Sequence, residues 1–584
     1  MTINIENQAK TAESINTRLT SISLDSQQLL YNPERRLSDN DDGDGDSDGG
    51  DDEQRTLKAR LLTSTHDDIT FLKDNILTRM KDGGGEVLFE IGSEVDGTSM
   101  QLTKEEYTQC LKTMDQVMDK LDTEYTDIDT LVTADGKSND KKKANGTGGH
   151  LMIRNKSTSV EDLLEIRVAV VGNVDSGKST TLGVLTKGIL DDGRGKARVN
   201  LFRHPHEIES GRTSSVGGEI LGFNSKSQVV VSPGNTGRKL TWDEVMDKAS
   251  KILSFVDLAG HEKYLKTTVF GMTGNFPEFV MLLVGGNAGV IGMAKEHLGL
   301  ALSLGIPLFV VVTKIDRTPP NVLAETLKNL RSILKSKACQ KFPLLVKTND
   351  DVVNSAQHFV SARLCPIFQI SNVTGEGLDL LRNYLNILPP LTKYDTGDPL
   401  HYEINDIFSV PFVGTVVSGC LKSGVVHVGD KVIYGPDFSG NFAVSTIKSI
   451  HRKRVSVPVA RAGQSVTFAL KNVRRKMVRK GQVLLAYDKD QPLPKVSRRF
   501  EAEIRILYHS TTIKQKYQAM VHCGSVRQTA QIINLEQKVL RTGDRAIVQF
   551  EFVQHPEYLC EGAKLIFREG RTKGKGTVLR ILPN

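Results

Sequence analysis

The feature that most narrows what this chain can fold into is one octapeptide. Gly172-Asn173-Val174-Asp175-Ser176-Gly177-Lys178-Ser179 satisfies G-x-x-x-x-G-K-[ST] in full. An apolar run at residues 166–171 precedes it and a helical pattern follows, which is the strand–loop–helix setting the motif needs. There the glycines let the backbone turn its N–H groups toward phosphate, and the helix start adds a favourable dipole. Asn173, Val174, Asp175, Ser176, Gly177 and Thr180 are therefore expected around a polyphosphate. Lys178 is expected to reach the β- and γ-phosphates, and the Ser179 hydroxyl to bind Mg2+.

Further apolar runs at 253–256, 279–284, 308–312 and 367–370 alternate with helical patterns, implying a mainly parallel sheet covered on both faces. Such sheets bind ligands beyond the carboxyl ends of their strands. Thr313-Lys314-Ile315-Asp316 lies at one such end. The Asp316 carboxylate can accept from guanine N1–H and its 2-amino group, whereas adenine lacks that amine and presents an acceptor at N1. Lys314 can lay its stem along the base. Ser371-Asn372-Val373, after the last run, is expected to close over guanine O6 through backbone N–H groups. Asp257-Leu258-Ala259-Gly260-His261 follows the run at 253–256. Asp257 is placed to hold Mg2+ through water, and the Gly260 N–H to sense a γ-phosphate, since a glycine lets the backbone come close. Thr213, within Gly211-Arg212-Thr213-Ser214-Ser215, is the candidate switch threonine on Mg2+, with Ser214 and Ser215 as alternative hydroxyls. The implied ligands are GTP or GDP with Mg2+.

At 584 residues the chain is long enough for several domains. Residues 1–57 are polar and acidic and read as a disordered tail. Residues 58–135 read as a small α/β extension, with Ile69, Leu72, Ile76 and Met80 at helical spacing and Thr103 with Glu106 as a capping pair. Residues 136–160 read as a linker, 161–393 as the nucleotide domain, and 394–493 and 494–584 as two β-barrels built from short β-branched runs with Gly turns. Six scattered cysteines with no C-x-x-C pair argue against a disulfide framework or a zinc site. No apolar run reaches the roughly 20 residues that a membrane span needs, and the first thirty residues lack a signal-peptide core. A cytoplasmic address and no membrane partner are expected. The oligomeric state is open, with a monomer as the default. Residues 497–584 hold 15 Lys and Arg against 8 Asp and Glu, and Arg452-Lys453-Arg454 and Arg474-Arg475-Lys476 add basic runs that could neutralise RNA phosphates.

Asp-x-x-Gly followed by His, together with Val-Asp-x-Gly-Lys in the phosphate loop, resembles translational GTPases of the elongation factor Tu class. Ile407-Phe408-Ser409-Val410-Pro411, Gly414 to Gly419 and Val428-Gly429-Asp430 look like that class's second domain, and Phe567 to Thr572 like the close of its third. The run Glu209 to Gly217, Phe255 to Tyr264, and Thr313 to Asp316 are similar to the eukaryotic family named for GTP-binding proteins 1 and 2. The resemblance covers residues 161–584 and extends to the small α/β unit. It implies a GTPase domain followed by two β-barrels and hydrolysis of GTP to GDP and phosphate. His261 would be the catalytic residue that orients the attacking water. The implied partners are the ribosome and an RNA, aminoacyl-tRNA first, with a release-type or RNA-decay protein, or an enzyme partner, as alternative cargo. One departure stands out: Thr313 holds the place where the wider class has Asn, and offers a hydroxyl in place of an amide. A second is the long insert between Phe223 and Lys251.

Overall fold

A computed structural model describes residues 55–95, 98–132, 147–156, 159–202, 204–210, 213–231, 240–359, 363–490, 492–494, 496–570 and 572–583. The expected acidic tail lies almost wholly outside these residues. The chain divides into two compact units, residues 1–156 and 157–584.

In the first unit, helices α1 (Leu57–Thr63), α2 (His66–Asp82) and α3 (Lys104–Leu121) accompany strands β1 (Glu86–Ile91), β2 (Thr123–Val132) and β3 (Thr147–Asn155). Both longer helices start on reciprocal caps, Thr65 with Asp68 and Thr103 with Glu106, which satisfy backbone donors that would otherwise lack partners. The three strands pair antiparallel in the order β1-β3-β2. Leu72, Ile76, Phe89, Met114, Val117, Leu151 and Ile153 fill the core. The expected linker at 136–160 needs correction: residues 147–155 form the central strand of this sheet, pinned by a buried Arg154–Glu86 ion pair at 2.7 Å. Gly148-Gly149 and the Lys-rich stretch before it hide the strand in the sequence, and its apolar run is only Leu151-Met152-Ile153.

The second unit begins with a seven-stranded sheet in the order β5-β6-β4-β7-β8-β10-β9. Its strands are β4 (Leu164–Gly172), β5 (Gly217–Phe223), β6 (Lys251–Asp257), β7 (Phe279–Gly285), β8 (Leu308–Thr313), β9 (Phe342–Leu345) and β10 (Leu364–Gln369). All neighbours are parallel except β5 on β6, as the crossovers through α4 (Lys178–Lys187), α7 (Leu265–Gly274), α8 (Met293–Leu304), α9 (Pro320–Lys335) and α10 (Asn349–His358) require. Strands β6, β7 and β8 are buried along their whole length, so they read as continuous apolar runs. The antiparallel edge strand β5 was not anticipated, because Gly217-Gly218-Glu219 interrupts its pattern.

Two β-barrels follow. Six strands close the first, with Lys431–Gly435 pairing with both Ala443–Arg452 and Val483–Ala486. The second is a closed ring from Arg499–Tyr508 to Thr572–Ile581. Buried polar groups bolt the three domains together. Glu165 on β4 pairs with Lys453 at 2.8 Å and Arg452 at 3.6 Å. Burial opposes ionisation of Glu165, but the charges of Lys453 and Arg452 outweigh it and hold the carboxyl at about 2. Arg452 also donates to the carbonyls of Val160 and Leu163, both at 2.6 Å. This corrects the reading of residues 452–454 as a solvated RNA-facing run: Arg452 is 1% exposed and Lys453 is ion-paired, leaving only Arg454 open, over the Trp242 ring. Arg474, Arg475 and Lys476 are exposed. From the second barrel, Lys573 and Arg568 reach Glu296 on α8, and Ile566 packs into the nucleotide domain's core.

Candidate nucleotide site

The phosphate loop leaves β4 at Gly172, whose φ of 149° brings it so close to β7 that a Cβ would stand 2.3 Å from the Leu283 carbonyl. It re-enters helix at Gly177, φ 85°, with Asp175 also left-handed at 58°. This coil aims the start of α4 at one point. Lys178 is buried, and its Nζ donates to the carbonyl of Asn173 at 2.8 Å. Burial pulls its pKa down to about 8.

Ser179, Thr213 and Asp257 come together from α4, the segment before β5, and the end of β6. The Ser179 hydroxyl donates to Asp257 Oδ2 at 2.6 Å and lies 2.9 Å from Thr213 Oγ1. Asp257 is 4% exposed, and burial pushes its carboxyl up to about 6. Among the described residues its Oδ1 is buried without a hydrogen-bond partner. A buried carboxylate with an orphan oxygen beside two hydroxyls is an all-oxygen donor set, the kind Mg2+ takes. A buried lysine alongside suits a polyphosphate. Gly260 packs against this centre: a Cβ there would stand 2.5 Å from Lys178 Nζ and 2.8 Å from the Asn173 backbone, so only glycine fits.

The base side is assembled from the ends of β8 and β10. Asp316 accepts from the Ser371 hydroxyl at 2.8 Å, and Ser371 Oγ in turn receives the N–H groups of Val373 and Thr374 at 3.2 and 3.1 Å. Lys314 is held left-handed at φ 62°, and burial lowers its pKa. Thr313 is fully buried and donates to the Ser176 carbonyl at 2.9 Å, tying the base loop to the phosphate loop. Asn372 turns away from the base side; its amide donates to Thr181 on α4 at 2.9 Å.

His261 is engaged by its own loop. Its Nδ1 accepts from Lys263 N at 3.1 Å and its ring meets Tyr264 edge-on. Three further buried residues, Glu207, Asp191 and His297, belong to none of the sequence motifs. Glu207 gathers donors from the segment around Thr213. Asp191 accepts from Gly193, Gly195 and Ala197 N, and its own N–H donates to the Asn372 carbonyl at 2.8 Å. His297 accepts from Gly172 N at 3.1 Å, and burial, then the Lys178 charge, lowers it to about 3. Their partners are mostly backbone amides, which leave no mark on a sequence.

A large cleft lies between the nucleotide domain and the barrels. Its volume is about 1190 Å³, and residues 217–220 of β5, Trp242, Phe408, Arg454 and Arg527 are among those lining it.

Comparison with known proteins matches residues 165–390 to the elongation factor Tu GTP binding domain and 414–485 to elongation factor Tu domain 2. The chain is 50% identical over 556 residues to GTP-binding protein 1 of Xenopus laevis, covering 95% of this chain and 83% of that one. It is 44% identical to GTP-binding protein 2 of Homo sapiens, covering 90% and 86%. Among solved structures, a bacterial selenocysteine-specific elongation factor, EF-Sec, aligns with a TM-score of 0.52 at 22% identity, over 72% of this chain but 59% of its own. Elongation factor SelB from Methanococcus maripaludis, in complex with the GTP analogue GppNHp, aligns with a TM-score of 0.51 at 20% identity, over 73% and 81%.

Proposed function

The chain belongs to the GTP-binding protein 1 and GTP-binding protein 2 family of elongation-factor-Tu-like GTPases, and we propose that its GTP cycle governs an RNA cargo, aminoacyl-tRNA first, at the ribosome. It binds GTP and GDP with Mg2+ and hydrolyses GTP. The observation that carries the proposal is the cleft. Its floor, residues 217–220, begins four residues after Thr213, and its far wall is the first barrel. A cargo end seated there touches the nucleotide-sensing strand and the barrel at once, which is what coupling cargo to nucleotide state needs. Arg454 stacked on Trp242 at 5.0 Å offers both a cation and an aromatic face, the pairing that suits an unpaired nucleotide. Basic surface continues outward. Arg505 stands directly between Lys575 and Arg545 across three strands of the second barrel, Arg545 being ion-paired with Glu503 at 2.7 Å. Such like-charge neighbours destabilise a sheet and favour a polyanion.

Hydrolysis proceeds by in-line attack of water on the γ-phosphate, and the protein contributes position and charge. Lys178 leaves its loop carbonyl for the β- and γ-phosphates, and the loop N–H groups cradle them. Ser179, Thr213 and Asp257 would hold Mg2+, which when bound would neutralise charge on the phosphate oxygens. The Gly260 N–H meets the γ-phosphate. His261 leaves the Lys263 amide, a bond worth about 1 kcal/mol, and turns toward the water when the ribosome engages.

The test is single-turnover hydrolysis with and without ribosomes. Ribosomes should stimulate the parent, and His261→Ala should bind GTP normally yet lose that stimulation by on the order of 10²-fold or more. Equal stimulation of both would remove His261 from the mechanism. A parent that ribosomes do not stimulate, with cargo that survives nuclease treatment, would replace the RNA reading with a protein-carrying adaptor.

A further inference from the structure

Thr213 lies in a stretch with neither helix nor strand, yet its hydroxyl sits 2.9 Å from Ser179 Oγ. A threonine on a loop is ordered at such a distance only against the backbone entropy of its segment, so the restraint has to come from its neighbours. What restrains it comes from six residues upstream. Glu207, on the short helix α5 (Pro205–Ser210), is 1% exposed. Its Oε1 accepts from Ser214 N at 2.7 Å, Ser214 Oγ at 2.8 Å, Ser215 N at 3.1 Å and Ser215 Oγ at 3.2 Å. Its Oε2 accepts from His204 N at 3.2 Å. One carboxylate thus ties the two residues that follow Thr213 to the start of its own helix. His206 adds a second tie, with Nε2 2.8 Å from Ser214 Oγ.

We propose that Glu207 is a positioning residue for the GTP-bound site: its carboxylate holds residues 214–215 so that Thr213 is delivered to Ser179 and Asp257. Four donors converging on a single buried oxygen are far more than the carboxylate needs for its own solvation. The arrangement spends them on fixing one turn of backbone, the one that places Thr213. The Ser214 and Ser215 hydroxyls, which the sequence left as alternative metal ligands, have a different task here, since both are engaged by Glu207.

The inference rests on the reading of Thr213 as the switch threonine on Mg2+, a contact that γ-phosphate orders and GDP does not, and a double-mutant cycle separates the two. Affinities for GDP and for GppNHp, each with Mg2+, are measured by calorimetry. The proteins are the parent, Thr213→Ala, Glu207→Ala, Glu207→Gln and the double variant Thr213→Ala/Glu207→Ala. Thermal melts without nucleotide accompany them. Thr213→Ala should lose GppNHp affinity by about tenfold or more with GDP affinity kept. Glu207→Ala should reproduce that selective loss, and the double variant should be no weaker than Thr213→Ala, because the two act as one device. Glu207→Gln keeps the shape and one acceptor but turns an N–H donor toward His204 N, so it should fall between parent and Glu207→Ala. If Thr213→Ala binds both nucleotides like the parent, the Thr213 reading fails and the Glu207 proposal with it. If Thr213→Ala is selective but Glu207→Ala weakens both nucleotides equally, or the losses add, Glu207 is a stability residue only and the proposal is overturned. Glu207→Gln supplies the same comparison should Glu207→Ala melt below the assay temperature.

Discussion

Replacing Thr313 by valine removes one hydroxyl and almost nothing else. The side chain is fully buried, and its Oγ1 donates to the Ser176 carbonyl at 2.9 Å. Valine has the same branched shape, so packing against Gly177, where a Cβ would lie 3.5 Å from Thr313 Oγ1, stays as it is. What is lost is a side-chain hydrogen bond between the end of β8 and the phosphate loop. A hydrogen bond of this kind contributes about 1 kcal/mol, rising to about 3 kcal/mol if the buried carbonyl finds no other donor. Ser176 sits in the middle of the loop that cradles phosphate, so the cost should fall on nucleotide binding: roughly 5- to 150-fold in affinity. GDP and GTP should suffer alike, since the loop serves the phosphates they share. Calorimetric titration with each nucleotide reads the effect, and denaturant unfolding without nucleotide reads the global stability. Thr313→Ser, which keeps the donor, should retain most of the parent's affinity. If the valine variant binds both nucleotides as the parent does while its unfolding midpoint drops, the hydroxyl is a packing tie and its role in shaping the loop is refuted.

Two further outcomes follow from other parts of the molecule. Asp316→Asn replaces an acceptor with a donor where guanine presents its amine, so GTP affinity should fall and xanthosine triphosphate, with a carbonyl there, should become the better ligand; unchanged GTP affinity would take Asp316 out of the base site. His522, buried in the second barrel, is held neutral down to about 3 by burial and by the charges of Arg527, Arg568 and Lys266. Because its folded pKa lies below the unfolded value of 6.5, its contribution is fully present above pH 6.5 and is lost as pH falls toward 3. Between those limits it should steepen acid destabilisation by about 1.4 kcal/mol per pH unit, a slope that His522→Leu should remove in unfolding measured from pH 6.5 to 5. Identical slopes for the two proteins would show that His522 titrates freely.

Much of this fold is legible because parallel strands buried on both faces leave unbroken apolar runs, as at residues 279–285 and 308–313. Strand β3 escapes because a central strand needs only Leu151, Met152 and Ile153 to be apolar when its neighbours supply the rest of the sheet. Strand β5 escapes because two glycines open it; at Gly217 a Cβ would crowd the Asp257 side chain at 3.2 Å. The reading of Arg452 failed for a different reason. Three consecutive basic residues look solvated whether or not they are, and only the tertiary position of Glu165, nearly 290 residues earlier, makes two of them internal.

The nucleotide site divides along the same line. Lys178, Asp257, Gly260, Thr313 and Asp316, the residues proposed to serve the nucleotide, belong to short motifs because each lies within a few residues of a strand end, where local sequence sets the geometry. Glu207, Asp191 and His297 act by accepting backbone N–H groups, and a backbone donor is the same whatever residue carries it. A carboxylate that organises a loop therefore has no signature beyond being a charge in a stretch that otherwise has reason to be solvated. Its cost when buried is the clue: an ionised group at 1% exposure persists only if its hydrogen bonds offset several kcal/mol of desolvation, and donors gathered from the residues beside Thr213 are where that offset is found. The segment that carries Thr213, proposed here to sense the nucleotide, is thus held by a charge that the sequence shows plainly but gives no reason to choose.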